Sequence, residues 1–406
     1  MYHLAYSAYY FISCSYYAYV LGFFPLYCKQ LGFTPWQIAA ISAAGTVANI
    51  VAGPWALQLS HSSWSARRVL AIFSALALTL YVPLFWVVTF PLFISLIFCS
   101  QVAKRGAEAI VDAQAVRETA AKRIRFEHSR LWGSIGFVVA LAAIGEIVDY
   151  AGTSIVLPCG LGALSLAYLM TFIMRRFVPD LPGKERLQPV ALGEAEWTKR
   201  TQFWALIVSA SCCWASHAVM YVYLSLYLEA LGWSGSKISA AWNIGVLAEV
   251  VLMIYFPRLE KRFSLERIYQ FSLGATVLRW ALLYWTADPW LILASQLLHA
   301  FSFGGCYVGS VRLVYQLLPE SKKDRGQGYL SAASAGVGSL IGRGLAGLGA
   351  SHLVSYAEVN ELFLQACIAA ALGFVVSLWL RPAPKDDNKG KLEIAGSGQQ
   401  IAGGGE

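Results

Sequence analysis

Residues 24–51, "FPLYCKQLGFTPWQIAAISAAGTVANIV", and residues 224–251, "LSLYLEALGWSGSKISAAWNIGVLAEVV", agree at nine of 28 positions at an offset of 200. The shared residues are Leu26/Leu226, Tyr27/Tyr227, Leu31/Leu231, Gly32/Gly232, Ile38/Ile238, Ala40/Ala240, Gly45/Gly245, Ala48/Ala248 and Val51/Val251. Oily helices resemble one another by chance, but a Leu-Gly turn held in register argues for a duplicated unit. The same offset sets Tyr17 opposite His217 and Asp112 opposite Arg312.

Composition says what surrounds the two copies. Of 406 residues, 57% are hydrophobic and only 13% charged, with mean hydropathy +0.55. A water-soluble domain carries about 25% charged residues. So few charges cannot cover a surface in water, so the solvent is mostly lipid. Runs near the ~20 residues that cross a bilayer fall at 4–28, 36–58, 68–89, 90–116, 130–149, 153–174, 202–228, 236–257, 268–287, 289–315, 327–350 and 360–380. The first run has no basic leader or small-residue cleavage site, so it reads as a span. The expected fold is an all-α membrane protein of twelve transmembrane helices in two six-helix bundles. Residues 1–176 and 201–383 form the bundles, 177–200 a cytoplasmic linker and 384–406 a flexible tail.

Charge sets the orientation. On the even connections and the tail lie 24 of the 31 Lys and Arg, against Lys29 and Lys237 on the odd ones. Basic loops stay cytoplasmic, which places both termini inside. The net charge of +8 then follows from topology and calls for no nucleic-acid partner. The eight cysteines show no CxxC or metal-ligand spacing, so no metal or cofactor is expected, and a proton gradient is left as the energy source. There is no HExxH, GxSxG or Walker motif, which argues against an enzyme and against an ATP-driven pump.

Twelve spans, a six-plus-six repeat and a basic central loop resemble the major facilitator superfamily. "SRLWGSIGF" (129–137), "GVLAEVV" (245–251), "VLRW" (277–280) and "QLLHAFSFGGCY" (296–307) are similar to its phenylpropionate permease branch, related to proton-coupled sugar and nucleoside symporters. Asn49 stands where that branch leads one to expect arginine, and "LSHSSWSARRV" (59–69) replaces the usual GxxxDRxGRR loop. The resemblance implies alternating access in a bacterial inner membrane and a central cavity lined by spans one and seven.

Five basic residues, Lys104, Arg105, Arg279, Arg312 and Arg343, fall within spans. A charge at the bilayer centre costs about 2.5–3.5 kcal/mol on insertion scales, so each needs water, a partner or a ligand. In "KRGAEAIVDAQAVRE" (104–118), Lys104, Glu108 and Asp112 are spaced i, i+4, i+8 and share one helix face. Lys104 falls at mid-depth and is expected to meet the solute, with Glu108 beside it. Asp112 lies near the cytoplasmic end and is expected to form a gate pair with Arg130 or Arg312. Glu249, Arg279 and His299 come from spans eight, nine and ten at similar depth, and together could hold and pass a proton; sugar symporters of the superfamily carry a similar trio. Tyr17 and His217 could contact a ring-bearing solute, and Arg343, in a glycine-rich span, either lines the cavity or reaches to the interface. Glu146, near an outer end, reads as water-exposed.

The expected activity is proton-coupled import of a small organic solute by a monomer in the lipid bilayer, an aromatic monocarboxylate such as 3-phenylpropionate being favoured. A neutral sugar or nucleoside, then drug efflux by proton antiport, are the alternatives. A ligand-sensing receptor that does not transport is the alternative of another class.

Overall fold

A computed structural model describes residues 2–62, 64–178, 201–351 and 356–381. The expected tail and residues 179–200 of the expected linker lie outside the described residues. All regular structure among the described residues is helical. The N-terminal half holds α1 (Tyr2–Gly22), α2 (Phe24–Gln30), α3 (Pro35–Ser62), α4 (Ala66–Tyr81), α5 (Phe90–Ala120), α6 (Phe126–Ala151) and α7 (Val156–Met174). The C-terminal half holds α8 (Thr201–Ala230), α9 (Gly235–Arg262), α10 (Leu265–Trp285), α11 (Pro289–Leu297), α12 (Cys306–Leu317), α13 (Lys323–Ser331), α14 (Ser339–Ala350) and α15 (Asn360–Ser377). Eight helical stretches among the described residues are long and apolar enough to cross a membrane, and nine if α1 and α2 count as one bent span.

Three expected spans are not straight rods. The first bends by 45° between α1 and α2, where Pro25 in the first turn of α2 removes an amide donor. The tenth and eleventh each contain a π-helical turn, Ala300–Gly305 and Ala332–Gly338. Paired glycines in both turns (Gly304 and Gly305, Gly336 and Gly338) weaken the regular i to i−4 ladder, and such turns concentrate at functional positions.

The repeat is visible atom by atom at its Leu-Gly turns. Gly32 and Gly232 adopt φ of +83° and +79°, a left-handed conformation open to glycine at little cost. In the first copy Gly32 N–H donates to Lys29 O (2.9 Å) and Phe33 N–H to Cys28 O (3.1 Å); in the second, Gly232 donates to Glu229 O (2.9 Å) and Trp233 to Leu228 O (3.0 Å). The shared glycine ends one helix so that the next can fold back.

Packing follows the same offset. Helix α1 lies on α6 and α7, as α8 lies on α14 and α15; α4 packs on α7, as α10 packs on α15. The halves meet along α3 with α14 and along α6 with α9, two contacts that the offset exchanges. Lys29 and Glu229, equivalent residues of the two copies, form an ion pair of 2.5 Å. Equivalent positions touch where a twofold relation brings them to the axis.

Candidate functional site: a polar cavity between the halves

A cavity of about 330 Å³ opens between the halves. Tyr16, Tyr17 and Phe24 line it from α1 and α2, Ser42, Thr46 and Asn49 from α3, and Gln101 and Arg105 from α5. Across from them stand Trp214 and Tyr221 of α8, and Ser339 and Arg343 of α14. Two guanidinium groups therefore face the cavity, one from each half, and no Asp or Glu is among the residues that line it.

Arg343 is buried and held entirely by neutral groups. Its Nε donates to Ser42 Oγ of the other half at 2.9 Å, and Nη1 to Ser339 O (3.2 Å) and Ser339 Oγ. Of its two expected positions, the structure places it on the cavity wall. Arg105 lies 4.2 Å over the Tyr17 ring and 3.5 Å from Glu108 Oε2.

Lys104 sits one layer behind. Its Nζ donates to Glu108 Oε1 (2.6 Å), Tyr17 Oη (2.8 Å) and Ser13 Oγ (3.3 Å), and lies 4.0 Å over the Tyr17 ring. Tyr17 in turn donates to Glu108 Oε2 at 2.5 Å, and Ser13 donates to Glu108 Oε1. Arg105, and not Lys104, is among the residues that line the cavity. The shared face of Lys104, Glu108 and Asp112 turns toward α1, and the next residue, about 100° further around the helix, meets the cavity.

The expected gate pairs are also rearranged. Tyr10 donates to Asp112 Oδ1 (2.7 Å) while Arg130 lies 5.4 Å over the Tyr10 ring and reaches Cys14 Sγ (3.1 Å), so a tyrosine mediates between the two charges. Arg312 forms its ion pair with Glu260 of α9 and not with Asp112, because α12 and α9 neighbour each other within one half. Glu146 lies exposed on the surface of α6.

A second buried cluster lies in the C-terminal half. Arg279, with no exposed surface, donates from Nη1 to His299 Nδ1 (2.7 Å) and Ser302 Oγ (3.3 Å), and from Nη2 to Gln296 Oε1 (2.7 Å) and Met220 Sδ (3.1 Å). Arginine only donates, so His299 Nδ1 accepts and its hydrogen belongs on Nε2. That nitrogen faces Glu249 Oε2 at 3.8 Å. Two glycines make room: a Cβ on Gly304 would stand 3.0 Å from Glu249 Cγ, and one on Gly245 3.3 Å from His299. The expected trio does converge, ordered as arginine, histidine, carboxylate.

His217 belongs to this second cluster and is not part of the cavity wall. Its Nδ1 donates to Cys213 O (2.9 Å), and its ring packs edge-on against Trp280 (5.0 Å). The C-terminal aromatics on the cavity wall are Trp214 and Tyr221, about one turn to either side of His217 on α8. Sequence reasoning missed Arg105, Gln101, Tyr221 and Gln296. For Arg105 the signal was present, a second cation beside Lys104, but helical phase alone does not say which of two adjacent residues faces inward.

Buried cations on apolar helices, around a cavity shared by two like halves, define a membrane solute transporter and not an enzyme. Residues 3–357 match the MFS_1 like family, and the chain belongs to that family, of the major facilitator type. Among curated proteins it is 28% identical over 324 residues to the probable 3-phenylpropionic acid transporter of Escherichia coli (strain K12), covering 77% of this chain and 80% of that protein. It is 26% identical over 354 residues to the putative nucleoside transporter YegT of the same organism, covering 83% and 82%. The crystal structure of nucleoside transporter NupG superposes with a TM-score of 0.79 at 16% identity, over 93% of this chain and 99% of that one.

Proposed function

We propose that the chain is a proton-coupled symporter of a small aromatic monocarboxylate, working by alternating access in a bacterial inner membrane. In this reading twelve spans form two bundles, residues 1–176 and 201–383, with both termini cytoplasmic. The supporting observation is the cavity: Arg105 and Arg343 point into it, no carboxylate lines it, and Tyr16, Tyr17, Tyr221, Trp214 and Phe24 surround it. Arg343 has only neutral partners, so a solute carboxylate would supply the missing counter-charge, and the rings would take an aromatic tail. The probable 3-phenylpropionic acid transporter among its relatives points the same way.

Protons would travel through the other cluster. In this reading Glu249 would take up a proton, and His299, standing between it and Arg279, would answer the change of charge. Alternation would require the contacts across the Lys29 end to part. These are the Lys29–Glu229 pair, Asp149 accepting from Gly235 N–H (2.5 Å) and Ser236 N–H (2.9 Å), and Tyr223 donating to Pro35 O (3.1 Å).

A second reading, a nucleoside or sugar, is favoured by the amide and hydroxyl wall of Asn49, Gln101, Thr46 and Ser42. Binding of 3-phenylpropionate, its amide and uridine to the purified protein separates the two. Tight binding of the acid alone is expected, and preference for uridine or equal binding of acid and amide contradicts the carboxylate reading.

A further inference from the structure

A second hollow, about 460 Å³, lies away from the central cavity on the outer face of the C-terminal half. Its wall is Leu259 at the end of α9, Phe263 just beyond it, Ile268 and Phe271 of α10, and Phe301 of the π-helical turn. The one charged residue in the wall is Arg267. Phe263 and Phe271 are 47% and 61% exposed, and the Phe271 and Phe301 rings meet edge-on at 5.0 Å. Such a surface suits acyl chains and offers a polar solute nothing but Arg267.

The rim of this groove is basic. Arg267 lines the groove and Arg262 stands over its wall residue Phe263, and both are exposed. The two neighbouring acids are already engaged: Glu260 pairs with Arg312, and buried Glu266 accepts from Gln316 Nε2 at 2.6 Å. Among the described residues no carboxylate lies within 4 Å of Lys261, Arg262 or Arg267 in an ion pair. Arg262 instead stands 5.8 Å over the Phe263 ring at the edge of the groove.

We propose that this groove is a binding site for one anionic phospholipid, with an acyl chain along Phe263, Ile268 and Phe271 and the phosphate against Arg262 and Arg267. An apolar channel that ends at unneutralised guanidinium groups complements both parts of such a molecule. A free phosphate would leave the channel without an occupant, and a zwitterionic lipid would leave the rim's excess charge unmatched. The site is built by helices that also carry Glu249 (α9), Arg279 (α10) and the π-helical turn after His299.

The test uses the full chain in detergent, stripped of lipid, with phosphatidylglycerol, phosphatidylcholine of the same chains, or glycerol 3-phosphate added. Native mass spectrometry counts retained lipid, and thermal melting reads stabilisation. One phosphatidylglycerol per chain and a raised Tm are expected, with neither effect from the other two additives. The double variant Arg262→Gln/Arg267→Gln should weaken retention at least tenfold while melting like the wild type without lipid. Leu259→Trp, which fills the groove and spares the rim, should weaken it likewise. Equal retention of phosphatidylcholine, stabilisation by glycerol 3-phosphate alone, or undiminished retention by either variant would overturn the proposal.

Discussion

The two halves hold their buried charges in different ways. In the N-terminal half, Lys104, Arg105 and Glu108 are knit together with Tyr17 and Ser13 by contacts of 3.5 Å or less. Every charge of that cluster has an opposite charge at hand. In the C-terminal half Arg279 has only neutral partners within hydrogen-bond reach, and the nearest carboxylate, Glu249, stands beyond a histidine. Pairs that lock each other make a fixed receptor. A carboxylate without its own cation can gain and lose a proton at smaller cost. In the proposed reading, that contrast would leave solute recognition to the seam at Arg105 and Arg343, and coupling to α9, α10 and the π-helical turn.

The largest expected effect is at the carboxylate. Glu249→Gln should abolish uphill accumulation in proteoliposomes while solute exchange continues; accumulation at the wild-type level would take Glu249 out of the coupling role. Next comes Arg343→Ala, which removes a buried cation from a carboxylate and should cost about 2 kcal/mol or more, roughly 30-fold in Kd. Isothermal titration should show that loss for the acid and little change for its amide. Lys104→Ala should weaken acid binding only several-fold, because Lys104 acts through Tyr17 and Glu108. A loss as large as that of Arg343→Ala would restore Lys104 to direct contact. Smallest is Lys29→Ala: the pair with Glu229 is partly exposed and worth about 0.2–1 kcal/mol. Cysteine labelling at the Lys29 end should rise modestly, and no change would show that the pair holds nothing closed.

Much of this arrangement could be read from residue types. The offset of 200, found from one Leu-Gly turn, recurs in the turn geometry and in the order of helix contacts. The Glu249, Arg279 and His299 trio was legible because unpaired ionisable residues on three apolar helices at one depth need each other. Interruptions were not legible. The glycine pairs of the two π-helical turns stand in the sequence, but glycines recur throughout these apolar spans and do not by themselves mark a wider turn. The same limit explains Lys104 and His217: the face that Lys104 shares with Glu108 and Asp112 was identified, but that it turns toward α1, and that His217 packs on Trp280, is decided by packing. Arg312 pairs with Glu260 of its own half, whereas Lys29 pairs with its equivalent across the axis, and the offset alone does not say which of the two a charge will do.

The most direct test follows the proton itself. Protein-containing and protein-free liposomes, with no imposed gradient, would be given 3-phenylpropionate while a dye reads external pH. Protein-dependent alkalinisation that parallels solute entry, and is lost in Glu249→Gln, is expected. Solute entry through the protein with no accompanying proton uptake would contradict coupling through the C-terminal cluster.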